Sequence, residues 1–556
     1  MASLRCRRYS LESIVQTTGQ QLVSFLEANG VDRVFCVPGE SFLPLLDALG
    51  ASKIDTITAR HESSAGFMAM ADGRLTGRPG VCMVSRGPGA TNASIAVHSA
   101  QQDGTPLILM IGQGERQHVG RDSFQEIDYS KMFGSIAKWV YEINDPTRVP
   151  EVMARAFSVA MSGTPGPVVI SLPEDILPIE LPDVKARASV VASSAPTPKA
   201  MQRVLELLAK AERPLLLAGG DFATDEQRAA LRAAAEKHNI PVVIGFRRHG
   251  VFASDHPLYA GDIGTGTSAT QVKAFEQADL LLAIGTRLSD WGTLNYRFPT
   301  PPWPNQTLVH ACADVTMIGK NFQPEVGMVC HGEEFIRAFV AQAAVPEKKD
   351  RSAWISELHG YAKTQAVWKN IQAPDGVAFG NVVRALGELT PDATSIVPDA
   401  GISAALAYKF FPFTGKRKLY STMSGVMGYG VPGAVAIALR EPDRTVVCLV
   451  GDGGFMMTGN ELAVAVERKL PLKIFLSNNR SLGTIRLHQE RMYPGRSHAT
   501  DLTGPDFSKL AQAFGCATLL IEKDEDIEPM IRAALAATGP VFVEVKASLS
   551  AILPKT

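Results

Sequence analysis

Apolar and polar positions along the first third of the chain switch between two periods. Strand-length apolar runs stand at 33–37, 56–59, 81–85, 107–111 and 168–172. Helix-length stretches at 19–29, 43–49, 64–76 and 92–102 precede the first four in turn. Such alternation predicts a parallel sheet with helices on both faces. A Ser-, Ala- and Pro-rich linker over 182–199 closes this block. A second block opens with a helix and a strand at 214–218. It places Gly219-Gly220 and segments 245–250, 285–290 and 310–314 mostly at strand ends. A charged, partly helical connection over 346–373 leads to a third block. The pattern predicts an α/β chain of three doubly wound parallel-sheet domains, at 1–181, 200–345 and 374–556, with no short-period repeat.

Composition changes this picture little. A chain of 556 residues is too long for one core. Its net charge of −1 gives no basic footprint for nucleic acid or an anionic membrane. The cysteines number seven, an odd count, with no CxxC and most of them in apolar runs. That pattern predicts buried free thiols in a reducing, cytoplasmic setting. No apolar run reaches membrane-spanning length. Arg5, Arg7 and Arg8 precede any acid, a weak likeness to a transit peptide; a ragged basic terminus is the favoured reading.

The candidate chemistry concentrates in the third block. Gly451-Asp452-Gly453 follows the apolar run 445–450, and Asn478-Asn479 follows the run 472–477. The stretch between them, with a helix-length segment at 461–470, has the span of one strand–helix–strand crossover. The two strands are therefore expected to be parallel neighbours. Asp452 and Asn479 then meet at the carboxyl ends of those strands, where open α/β sheets bind ligands. A carboxylate and an amide oxygen are hard ligands that suit Mg²⁺, which takes its other ligands from phosphate and water. The glycines let backbone N–H groups approach a diphosphate.

This pair resembles the GDG…NN signature of thiamine diphosphate (ThDP) enzymes, whose three α/β domains run in the same order. The resemblance implies Mg²⁺ on Asp452, Asn479 and the carbonyl of Ser481. It places Gly453, Gly454 and Gly483 at the cofactor. Met427, within Ser424–Pro432, would be the wedge between the cofactor rings, and the Gly425 carbonyl would accept from the pyrimidine amino group. Glu62, in Arg60-His61-Glu62, would hold the pyrimidine ring nitrogen and drive proton transfer. Pro88 and Asn92 would border the pyrimidine. In this family each site is shared by two subunits, so a homodimer or homotetramer is implied.

Gln125 and Lys138 resemble the acetolactate synthase branch, in which Gln125 would reach a neighbouring active site and Lys138 would line the substrate entrance. The implied activity is decarboxylation of a pyruvate-like 2-oxoacid and ligation to an acceptor carbonyl. His310, Asp314 and 318–321 resemble the segment after that branch's FAD site, and Arg247, Gly250, Gly285 and Arg287 fit FAD contacts. FAD is thus implied for the middle domain, with ADP, or no nucleotide, as alternatives. The chain departs from the branch in several places. Gly401-Ile402-Ser403 stands where a Gly-Gln-His is usual, which leaves Gly401 and Ser403 at the diphosphate edge. An acid near Cys312 is missing. His488 replaces a pocket tryptophan and is either a general acid or filler. Glu40, in Pro38-Gly39-Glu40-Ser41, replaces a small residue. The rival readings are an acyl-CoA lyase or decarboxylase, a flavin-containing 2-oxoacid oxidase, and a non-catalytic ThDP-binding scaffold.

Overall fold

The computed structural model describes residues 15–264, 266–344 and 350–552. The basic start and Cys6 lie outside them. Three six-stranded sheets dominate, and every strand pairing within them is parallel.

The first sheet runs Asp55–Thr58, Arg33–Cys36, Gly80–Val84, Leu107–Gln113, Pro167–Pro173, Trp139–Glu142 across its width. The last sheet runs Lys418–Leu419, Thr394–Pro398, Thr445–Gly451, Leu472–Asn478, Val541–Lys546, Ala517–Ile521. Numbered by sequence, both have the order 2-1-3-4-6-5. The middle sheet instead has the order 3-2-1-4-5-6, that of dinucleotide-binding folds. Chain order reverses beside the first strand in each sheet, and the crevice outside the strand ends at that point is where such folds take ligands.

The central strands are fully buried and mostly apolar, as in Leu107–Gln113 and Leu280–Ile284; Leu472–Asn478 is equally buried but carries Lys473, Ser477 and Asn478. A strand covered by helices on both faces has no polar side to show. Two helices carry the contact between the first and last units. Glu62–Thr76 packs on Gly430–Arg440, and Phe67 meets Tyr429 edge-on at 6.0 Å. At the far end of this contact Arg440 donates to Asp32 at 2.7 Å and to Asp72. The described cysteines are all free and buried. Among the described residues no helix is long and apolar enough to cross a membrane.

Candidate active site

Strands Thr445–Gly451 and Leu472–Asn478 are parallel neighbours, with Gly451 opposite Ser477. This register sets Asp452 and Asn479 side by side just beyond the sheet. The helix begins at Asp452 itself, earlier than the expected 461–470, and breaks into a tighter turn at Gly459–Glu461. Asp452 is buried. Its Oδ1 accepts from Gly453 N–H at 2.8 Å, while Oδ2 has no hydrogen-bond partner. Burial raises its pKa, and the N–H groups of Gly453, Arg480 and Ser481 oppose that. A buried carboxylate oxygen without a partner is costly unless a cation or donor completes it.

The two asparagines divide their work. Asn478 turns inward and donates to Glu544 at 2.8 Å. Asn479 accepts from Ser481 N–H at 3.1 Å and stays by the crevice. The Ser481 carbonyl accepts from Gly483 N–H at 2.7 Å and keeps a second lone pair. A Cβ on Gly483 would come within 2.8 Å of the Asn479 amide, so only glycine leaves that side chain its place. Among the described residues no cluster of three or more His, Cys, Asp or Glu could hold a metal. The set here is one carboxylate, one amide and one carbonyl, which fits Mg²⁺ completed by phosphate oxygens and water.

These groups line a cavity of about 290 Å³ together with Gly401, Ser403, Gly425, Met427, Gly453 and Gly454. The loop bearing Met427 turns through left-handed glycines, Gly425 at φ 66° and Gly428 at φ 86°. Asp399, at the end of Thr394–Pro398, moors it. This buried carboxylate accepts from Ala400 N–H at 2.7 Å, Gly428 N–H at 2.9 Å and Gly430 N–H at 2.8 Å. Burial still pushes its pKa up to about 6. Gly454 lies 2.8 Å, at a would-be Cβ, from Asp399, so this glycine makes room for the mooring carboxylate. Asp399→Ala is expected to strand those N–H groups and to lower stability by about 2–4 kcal/mol. Urea denaturation checks it.

The second cluster lies on the first sheet. Glu62 is the first residue of Glu62–Thr76, with His61 as its cap. Its Oε2 accepts from Asn92 at 2.9 Å. Pro88 opens Pro88–Asp103, four residues earlier than the apolar pattern predicts, and a Cβ on the neighbouring Gly89 would sit 3.6 Å from Glu62 Oε1. Gln125, itself at φ 58°, lies against Gly87 and so beside this cluster. In one chain none of these residues lines the Asp452 cavity.

Other expected residues stand apart. Lys138 donates to the carbonyl of Ser162, and to that of Thr164 at 2.8 Å; burial pulls its pKa down to about 8. It faces Asp314 of the middle unit and lines neither cavity described here. His488 is exposed on Gly483–Met492, outside the cavity lining, and Glu40 is exposed at the start of a short turn.

Glu461 was not anticipated. It is fully buried where the two units meet, accepting from Arg60 N–H at 3.0 Å, and burial pushes its pKa up to about 7. A raised carboxyl binds its proton more tightly when folded. Ionising it therefore works against folding above about pH 7, and that penalty vanishes below its ordinary value of 4.5. Glu461→Gln is expected to raise the melting temperature at about pH 8, by the equivalent of about 1–3 kcal/mol, with the gap closing by about pH 5.

The middle sheet's reversal point opens on a cavity of about 300 Å³. Gly219, Gly220, Gly285, Arg248 and Arg287 line it, with Arg74 and Asp103 from the first unit. Gly285 is there as expected from the sequence. Arg247 and Gly250 are not: Gly250 backs onto the Arg417 carbonyl, and Arg247 lines the Asp452 cavity instead. Arg248, the next residue, takes the place expected of Arg247.

These geometries define a class of protein. Family models for the thiamine pyrophosphate enzyme match in chain order: the N-terminal TPP binding domain at 16–132, the central domain at 201–339 and the C-terminal TPP binding domain at 399–545. The chain belongs to the thiamine pyrophosphate enzyme family. Within it the chain is similar to acetolactate synthases. It is 33% identical to the "Acetolactate synthase" of Mycobacterium bovis, over 96% of this chain and 88% of that protein. It is 32% identical to the "Probable acetolactate synthase large subunit" of Methanocaldococcus jannaschii (96% and 92%). It is 31% identical to the "Acetolactate synthase isozyme 1 large subunit" of Escherichia coli (95% and 94%).

Proposed function

We propose that this enzyme decarboxylates a pyruvate-like 2-oxoacid and ligates the remaining acyl unit to an acceptor carbonyl. The observation that carries the reading is the unpartnered Oδ2 of buried Asp452 beside Asn479 and the Ser481 carbonyl. These three would hold Mg²⁺ and through it the diphosphate of ThDP. Gly453 and Gly454 would lie along the diphosphate, with Gly401 and Ser403 at its edge. When bound, the cofactor supplies an electron sink for the carbon that loses CO₂. Met427 would keep its rings bent and Gly425 would orient the pyrimidine. Glu62, positioned by Asn92, would hold the proton at the pyrimidine nitrogen. Pro88 would close the pyrimidine side, and Gln125 would border the reacting centre.

Glu62 and Asp452 belong to different clusters, so the site is complete only when a second copy docks. A homodimer is the smallest such assembly, and a homotetramer satisfies it too. The middle cavity suits the diphosphate of FAD or ADP, because Arg248 and Arg287 stand among glycines at a dinucleotide-type reversal point. A flavin band in the purified protein, or its absence with ADP in the extract, separates the two. CO₂ release from pyruvate, dependent on both ThDP and Mg²⁺, is the expected result for the reaction. No turnover of any 2-oxoacid by ThDP-loaded protein would sink it.

A further inference from the structure

Among the described residues lining the Asp452 cavity, Arg247 is the one cation, and Asp452 is the one other charged residue. It comes from the middle unit, just past the strand Val242–Ile244, where the chain turns left-handed at φ 55°. That conformation is uncommon for a residue with a Cβ and turns consecutive side chains apart. Arg247 therefore faces one cavity and Arg248 the other.

The guanidinium is fixed in place. It lies 4.7 Å from the Phe246 ring centre and 5.2 Å from that of Tyr408, and one Nη donates to the Thr422 carbonyl at 2.5 Å. Its Nε is buried with no hydrogen-bond partner. A guanidinium has five donors, and an aromatic-clamped one with donors to spare is arranged to take a planar anion. Its Nη atoms come within 3.6 Å of a would-be Cβ on Gly425. Gly425 shares its loop with Met427, which approaches Gly453, so Arg247 and the Asp452 anchor border one cavity through the same loop. Ile402, Met427, Leu482 and Ile485 give the same cavity apolar surface, and Ser403 and Thr484 add hydroxyls.

We propose that Arg247 is a specificity residue that binds the carboxylate of the acceptor 2-oxoacid; this rests on the function proposed above. The balance of the reaction selects the acceptor. Two 2-oxoacid anions and one proton give CO₂ and one 2-hydroxy-3-oxo acid anion. The donor breaks its bond to the carboxyl carbon, its carbonyl carbon bonds to the acceptor's carbonyl carbon, and the acceptor oxygen takes the proton. A cation gripping the donor carboxylate would stabilise the charge that must leave and so oppose its loss. The acceptor carboxylate persists into the product, and gripping it orients the carbonyl at no such penalty.

The test compares wild type, Arg247→Gln and Arg247→Lys, each as full chain with ThDP and Mg²⁺. Pyruvate and acetaldehyde compete as acceptors, and acetolactate and acetoin are counted by NMR. The acetolactate-to-acetoin ratio is expected to fall at least about tenfold in Arg247→Gln, the worth of one charge-assisted hydrogen bond. Arg247→Lys should recover part of it. An unchanged ratio in both variants overturns the proposal. So does a loss confined to ThDP affinity, which would make Arg247 a cofactor-phosphate ligand. If wild type releases no CO₂ from any 2-oxoacid, the parent reading fails and takes this one with it.

Discussion

Glu62→Gln is expected to lower turnover about 10²–10⁴-fold, the range associated with a positioned acid–base group. The carboxamide has nearly the carboxylate's shape, and Asn92 still meets its oxygen side at the 2.9 Å contact, so the helix start at Glu62 is preserved. What is lost is the proton-holding role, not the pocket. ThDP affinity, measured by calorimetry with Mg²⁺ present, is accordingly expected to stay within about tenfold. A non-catalytic scaffold would show no activity to lose, and a purely structural Glu62 would lose stability and binding together.

Asp452→Asn should produce the opposite pattern. Without the carboxylate's charge the Mg²⁺ site has only neutral oxygens, and Mg²⁺-dependent ThDP binding is expected to weaken by at least about 10²-fold. The cofactor-free protein is expected to become more stable, because the buried, unpartnered Oδ2 no longer carries charge. Wild type should gain about 2.7 kcal/mol at a cofactor concentration of 100 times Kd, and the variant should gain almost none. Thermal melts with and without ThDP and Mg²⁺ measure both effects. Equal ThDP-induced shifts in the two proteins would remove Asp452 from the metal site.

The GDG…NN pair was legible because its chemistry and its geometry lie in one local stretch. Two apolar runs one crossover apart are expected to be parallel and are often neighbours, and here the Gly451–Ser477 register makes them so. Helix starts were read late for a physical reason. Glu62, Pro88 and Asp452 are polar or conformationally special first-turn residues, and apolar periodicity begins only after them. The shared strand order of the first and last sheets was out of reach, since it depends on which crossovers pack side by side.

Residues that act through the assembled fold were missed. Asp399 reads locally as an acid after a strand; its role comes from Gly428 and Gly430, about 30 positions away. Glu461 became a buried interdomain acid only once Arg60 was brought to it. Arg247 and Arg248 are adjacent, and no pattern of neighbours says which of them faces which cavity. That choice is made by one left-handed residue. Lys138 carried the branch resemblance and His488 marked a departure from it, yet within one chain neither lines the Asp452 cavity.

The most direct measurement is carbon-13 NMR of the products formed from pyruvate labelled at its carbonyl carbon, with purified wild-type protein, ThDP and Mg²⁺. The account expects acetolactate with two labelled carbons joined to each other, seen as a mutually coupled pair, with one CO₂ per molecule formed. Acetaldehyde as the lasting product, or unconsumed pyruvate with ThDP bound, would contradict it.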